Sequence, residues 1–196
     1  MVKAYSYGSG THQVASLLES KGIEFLAVAY TQEGVQLRKD GITTPILVMN
    51  PEEGNLEQLL EYKLQANIYS MKILEELLFA VGATGHIHAE IHVEFNTGME
   101  RLGFARSETK GLIQKIKEEP SLKLISVFSH LAAADEDEHR DFTVEQCREF
   151  TAIGEEFKAE FGPHVLSHIL NSAGAISYSD FQLDMIRLGI GLYGID

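Results

Sequence analysis

The chain is predicted to be an α/β protein of the (β/α)8, TIM-like barrel class. Three observations carry this. Short apolar runs alternate with helix-periodic segments from end to end, about eight such units follow one another, and residues with chemical potential stand where apolar runs stop. Strict alternation of strand and helix implies a parallel sheet, because parallel neighbours need a crossover connection and the crossover is usually a helix.

The expected strands are Met1 to Tyr5, Glu24 to Tyr30, Pro45 to Met49, Gln65 to Tyr69, Ile87 to Asn96, Leu122 to His130, Val165 to Asn171 and Asp184 to Tyr193. Between them, Ser70 can cap a helix with the apolar stripe Ile73, Leu74, Leu77, Leu78 and Val81. Thr143 with Gln146 reads as a capping box for a helix that should stop at Gly162 and Pro163. No linker or low-complexity stretch interrupts the pattern, so residues 1–196 read as a single domain. The length falls short of the roughly 250 residues typical of such barrels. Only Met1 and Val2 precede Lys3, and no helix follows the last expected strand, so the barrel is expected to be truncated at both ends.

A net charge of -13 repels phosphate backbones and excludes a nucleic-acid groove. No stretch approaches the roughly 20 apolar residues of a membrane helix, and no leader pattern is present, which together predict a cytoplasmic protein with no membrane partner. The single cysteine, Cys147, shares helical spacing with Val144, Phe150 and Phe157 and reads as core.

In a barrel, catalytic groups project from the carboxyl ends of the strands. Glu94 and Asn96 end the fifth expected strand, His130 ends LISVFSH, Asn171 and Ser172 end LSHILNS, and Arg187 lies in DMIRLGIGLYG. Alternation along IHAEIHVEFN puts Ala89, Ile91, Val93 and Phe95 on a helix-facing side and Glu90, His92, Glu94 and Asn96 on the interior side. His86, His88 and His92 resemble a first-row metal set, but the first two fall at the start of their strand, away from a catalytic end. The run Asp135 to Glu138 lacks the glycine and spacing of a calcium loop. No metal is therefore assigned.

Phosphate binding has better support. Gly189, Gly191 and Gly194 follow Arg187, so backbone amides there can approach an anion, and Ser172 and Gly174 end the preceding unit. A phosphate site opposite an amine, Lys3, suits an aldehyde cofactor that carries a phosphate, namely pyridoxal 5'-phosphate.

In this order and spacing, the segments VKAYSYGSG, LAVAYTQEGVQLRKDGITTPILVMN, NTGMERLGF, SHLAAADE, HILNSAGA and MIRLGIGLYG resemble the alanine racemases, pyridoxal-phosphate enzymes of the barrel class. VKAYSYGSG with VMNPEE is most similar to the racemase half of bacterial proteins that fuse this enzyme to a cell-wall ligase of the Mur type. The resemblance implies an isomerase that interconverts L- and D-alanine for peptidoglycan synthesis and is a homodimer in its full-length parent. It implies that Lys3 forms the Schiff base and that Tyr7, Ser172, Gly189 and Ile190 hold the cofactor phosphate, with Asn171 beside them. It places Arg187 at the pyridine nitrogen with His168 behind it, His130 beside the ring, and Arg101 on the cofactor phenolate and the substrate carboxylate. An arginine there stays protonated, which leaves the ring nitrogen unprotonated and weakens the electron sink.

Two departures from the family pattern matter. Glu94 stands where the family usually has a lysine that can carry a carbamate, and Asn96 where it has aspartate; Glu94 would orient Arg101 with a permanent carboxylate. The family's carboxyl-terminal β-domain, which supplies an opposing tyrosine to the partner subunit, is not expected within these 196 residues, so the chain alone is expected to racemise weakly or not at all. The alternatives are a non-catalytic pyridoxal-phosphate carrier of the homeostasis type and an assembly module beside a ligase.

Overall fold

In the computed structural model, which describes residues 1–85 and 88–195, six strands form one sheet in sequential order. They are β1 (Leu26–Val28), β2 (Ile46–Val48), β3 (Gln65–Ile68), β4 (Ala89–Glu94), β5 (Leu122–Phe128) and β6 (Leu166–His168). β1 with β2, β2 with β3, and β5 with β6 pair in parallel. Each strand lies inside an expected range, whereas the first and last of the eight expected strands do not form. The described residues therefore carry a six-stranded parallel sheet and not a full eightfold one.

Chain packing divides the molecule into two compact units, Met1–Ile91 with Ser121–Lys123, and His92–Pro120 with Leu124–Asp196. In the first unit, β1, β2 and β3 are buried at every position, as expected of strands covered on both faces. The helices there are α1 (Lys3–Tyr7), α2 (Thr11–Ser20), α3 (Thr31–Lys39), α4 (Leu56–Glu61) and α5 (Met71–Thr84). The Ser70 hydroxyl caps α5 by accepting from Ile73 N, and Ile73, Leu74, Leu77 and Val81 form its buried stripe. At the end of α2, the Glu19 carboxylate accepts both amides and both hydroxyls of Thr43 and Thr44 at 2.8 to 2.9 Å. Those bonds, the Thr44 amide first, hold its carboxyl at about 2 and fix the turn that enters β2.

The amino-terminal segment departs most from expectation. Val2 makes one strand-like bond, its amide donating to Ala27 O at 2.8 Å, and the chain then leaves the ladder. Lys3–Tyr7 is a helical turn whose residues Ala4, Tyr5, Ser6 and Tyr7 all have φ between 51° and 55°, the left-handed region. Side chains resist it by roughly 1–2 kcal/mol per residue. The turn closes on itself through Gly8 N and Gly10 N, both donating to Tyr5 O, and through Ser9 N to Ser6 O. Gly8 and Gly10 relieve it by taking φ of 92° and 93°.

In the second unit α6 (Thr109–Glu118), α7 (Arg140–Phe161) and α8 (Ser172–Ser177) accompany β5 and β6. Cys147, Phe150, Ile153 and Phe157 line the fully buried face of α7, which ends at Gly162 as expected. Thr143 and Gln146 are not a capping box: α7 begins at Arg140, so both lie inside the helix and are buried. The expected strand Asp184 to Tyr193 is an irregular segment tied to β6 and its following loop by Asp184 N to Ser167 O and Arg187 N to Leu170 O, followed by a 3-10 turn at Ile190–Tyr193. Glycines at 189, 191 and 194 deny that segment the side chains a strand packs with.

Burial raises the Cys147 thiol to about 11 and leaves it without solvent contact. Cys147 is therefore expected to stay unreactive toward a disulfide reagent in the native chain and to react fully in urea. Native reactivity at the rate of an exposed thiol would contradict the packing of α7.

Candidate functional site

Three neighbouring strands of the second unit each place one polar side chain in a buried row. His92 Nδ1 lies 2.6 Å from Ser126 Oγ, and Ser126 Oγ lies 2.9 Å from His168 Nε2. His168 Nδ1 is bonded to Arg187 Nη1. All four residues are buried. The donors can be assigned from chemistry. A guanidinium only donates, so His168 Nδ1 accepts; the ring proton of neutral His168 then sits on Nε2 and is donated to Ser126, whose hydroxyl is left to donate to His92 Nδ1. Alternation creates the row, because Leu124, Ser126 and Phe128 share a face of β5 and Ser126 leaves room for two imidazoles.

Arg187 ends that row. Its Nη1 also donates to His168 O at 3.2 Å, and Nη2 donates to Ser129 O at 2.5 Å and Ile169 O at 3.3 Å, with His130 Nδ1 at 3.3 Å. The guanidinium carbon lies 4.8 Å from the centre of the Phe128 ring, which stacks on His168 at 5.0 Å. Desolvation pulls the Arg187 guanidinium down to about 10; Glu94 opposes this and Arg101 adds to it. The side chain is charged at neutral pH. His168 is driven well below its ordinary value by burial, with the charge of Arg187 next and His92 last.

Glu94, at the end of β4, is 3% exposed, so its carboxylate is buried. Its attraction acts on Arg187. Arg101 is exposed, on a closed excursion that leaves β4 and returns beside it. Asn96 N donates to Phe104 O and Phe104 N to Glu94 O, both at 2.9 Å. The Asn96 side chain accepts from Gly98 N and Glu100 N, each at 3.0 Å, and so shapes the near side of the loop. Gly103 is required at its far side: a Cβ there would lie 2.6 Å from the backbone of Phe95 and Asn96.

The glycine-rich segment meets Ser172 directly. Ser172 Oγ accepts from Gly189 N at 2.9 Å and from Gly191 N at 3.1 Å, so two amides converge on one oxygen. Asn171 is occupied locally, its side chain capping α8 through Gly174 N at 2.8 Å. Ile190 is 43% exposed at the start of the 3-10 turn. His130 lies two residues beyond β5, in a loop that Gln146 holds from inside α7 by accepting from Ala132 N at 3.1 Å and donating to His130 O at 3.4 Å.

In the first unit, Lys3 opens the left-handed turn and Tyr7, 39% exposed, closes it. The expectation that Lys3 ends a strand is corrected: a single ladder bond at Val2 precedes it. Of the histidine trio, His86 lies outside the described residues, His88 is exposed before β4, and His92 belongs to the buried row. Among the described residues, the metal-compatible cluster is Glu136, Glu138 and His139, all exposed in the acidic run.

His168 also sets an acid limit. The unfolded imidazole takes a proton near its ordinary 6.5, whereas the buried one resists it. The unfolded state thus binds more protons below that value, and stability is lost as pH falls from about 6.5. Urea unfolding between pH 7.5 and 5 should show this decline, and His168→Gln should flatten it. An unchanged slope in the variant would assign the acid sensitivity to other groups.

The sequence matches the family model described as alanine racemase, N-terminal domain, over residues 1–196. It is 32% identical to alanine racemase 1 of Oceanobacillus iheyensis and 36% identical to the alanine racemase of Sorangium cellulosum, in each case over 100% of this chain and 52% of the relative. Among solved structures, the alanine racemase of Clostridium difficile 630 superposes with a TM-score of 0.91 at 32% identity, covering 100% of this chain and 51% of that one. The enzyme from a D-cycloserine-producing Streptomyces lavendulae gives 0.91 at 26% identity, covering 100% and 52%. The chain thus spans about half the length of the relatives it matches. With the parallel sheet and the buried Arg187 row already described, these matches place the chain in the alanine racemase family, as its N-terminal domain.

Proposed function

We propose that the chain is the cofactor-carrying part of a pyridoxal-phosphate-dependent alanine racemase that interconverts L- and D-alanine for peptidoglycan. The observation that carries the reading is Arg187, a charged, buried guanidinium whose Nη1 and Nη2 are tied down by His168, Ser129 and Ile169. A group built this way suits a ring nitrogen that must accept a hydrogen bond and stay unprotonated. The phosphate side also fits, since the amides of Gly189 and Gly191 already converge on an oxygen, that of Ser172.

When bound, the cofactor supplies an electron sink for charge developing at the α-carbon of alanine. The chain's own residues do the rest. Lys3 would hold the cofactor through its side-chain amine and would move the α-proton on its side of the substrate. Ser172, Gly189, Ile190 and Tyr7 hold the phosphate, with Asn171 fixing the turn beside them through Gly174. Arg187 would face the ring nitrogen, and the buried row His168, Ser126 and His92 keeps it from moving. His130 flanks the ring. Arg101 binds the substrate carboxylate, and Glu94 orients it. Inversion needs a base on each face of the α-carbon. Tyr5 and Tyr7 share the turn of Lys3; the resemblance to the family implies that a partner subunit would supply the opposing base.

Borohydride treatment of the cofactor-saturated chain followed by peptide mapping should mark Lys3. A mark on another lysine, or none in folded protein, would sink the attachment.

Glu94→Gln removes the buried charge that offsets Arg187 and orients Arg101, and should weaken cofactor or substrate-carboxylate binding by about 1–3 kcal/mol. Absorbance titration with pyridoxal phosphate, without and with alanine, checks this. Unchanged affinities would leave Glu94 without the assigned role.

A further inference from the structure

We propose that Glu33 is the positioning residue for Lys3: its carboxylate ties the first left-handed peptide of α1 to the end of β1 and so sets where the lysine amine is presented. The proposal rests on the reading of Lys3 as the attachment amine.

Glu33 lies in the first turn of α3 and accepts three backbone amides. Oε2 takes Ala29 N at 2.6 Å and Tyr30 N at 3.1 Å, and Oε1 takes Ala4 N at 2.7 Å. The bond to Tyr30, the N-cap, is the ordinary reach of a third-position glutamate back to the start of its helix. A capping glutamate needs one oxygen for that. The second is committed 29 residues away, to the first residue of the chain with a left-handed φ.

The geometry around Lys3 gives this bond its purpose. On one side Val2 N donates to Ala27 O at 2.8 Å; on the other Ala4 N donates to Glu33. The Cα of Lys3 therefore lies between two residues anchored to β1 and to the helix that follows it. The amides that follow have partners in the turn or next to it in sequence, Ser6 N on Val2 O and Gly8 N on Tyr5 O. The Ala4 amide, at the entrance, has a partner from outside the turn. Without it, the peptide joining Lys3 to Ala4 can rotate toward the extended conformation that non-glycine residues prefer, and the amine rotates with it.

The test follows two rates in the wild-type chain, Glu33→Ala and Glu33→Gln: fixation of pyridoxal phosphate at Lys3, trapped with borohydride and mapped, and hydrogen exchange of the Ala4 amide by NMR. Glu33→Ala should slow fixation by about ten- to a hundredfold, the scale of a misplacement near 1 Å, and accelerate Ala4 exchange. Glu33→Gln, which keeps the side chain's size and one acceptor oxygen, should fall between. Adding Ala4→Gly to Glu33→Ala should restore part of the fixation rate, because glycine takes a φ of 51° without strain. A general loss of stability would not respond that way. Wild-type fixation in both Glu33 variants, or unaltered Ala4 exchange, overturns the proposal. Should wild-type protein fix the cofactor on another lysine, the attachment reading falls by itself. Ala4 exchange then still decides whether Glu33 holds the turn.

Discussion

Keeping a charged guanidinium out of water is the constraint on which the second unit depends. Arginine cannot escape by losing its proton at neutral pH, so each feature around Arg187 answers its charge. The carbonyls of Ser129, His168 and Ile169 are within reach at or just beyond the ends of β5 and β6, where ladder bonding gives out. His168 must stay neutral, since a second cation there would be repelled, and Ser126 and His92 supply the bonds that hold its tautomer. Phe128 offers a ring face instead of a competing donor. Glu94 contributes the compensating negative charge from the adjacent strand.

The first unit meets a different constraint. A lysine presented from a regular strand would share its backbone direction with its neighbours; the left-handed turn after Val2 turns the chain sharply just where the amine appears. Such a conformation persists only where surroundings over-determine it. Here the glycines at 8 and 10, the internal bonds to Tyr5 and Ser6, and a carboxylate from α3 do so together.

Much of this was legible in the sequence. The six strands fall within their expected ranges because parallel strands covered on both faces are compact apolar runs bounded by turn residues, and LAV, ILV and LKLISVF are such runs. Parity assigned Glu94 to the interior side of its strand, and the residue is buried. The association of Arg187 with His168 came with the resemblance, whereas the extension to Ser126 and His92 did not: a serine inside an apolar strand reads as filler until its neighbours across the sheet are known. VKAYSY failed as a strand because its apolar and aromatic content matches β propensity, while four positive φ angles depend on tertiary bonds that no local pattern records. Thr143 and Gln146 misled because a capping-box spacing recurs by chance inside helices, and α7 starts at Arg140 after a 3-10 turn.

Gln146 reaches the loop after β5 from well inside α7, a helix of 22 residues. Each residue of an α-helix advances the side chain by about 100°. One residue gained or lost between the start of α7 and Gln146 would therefore swing the amide away from Ala132 and His130 altogether. Beyond Phe157 the same change would only move the exit toward Gly162. The helix thus acts as a phase reference for its loop, and length variation in this part of the chain is expected to be confined to the acidic segment before Arg140 and the turn after Phe161.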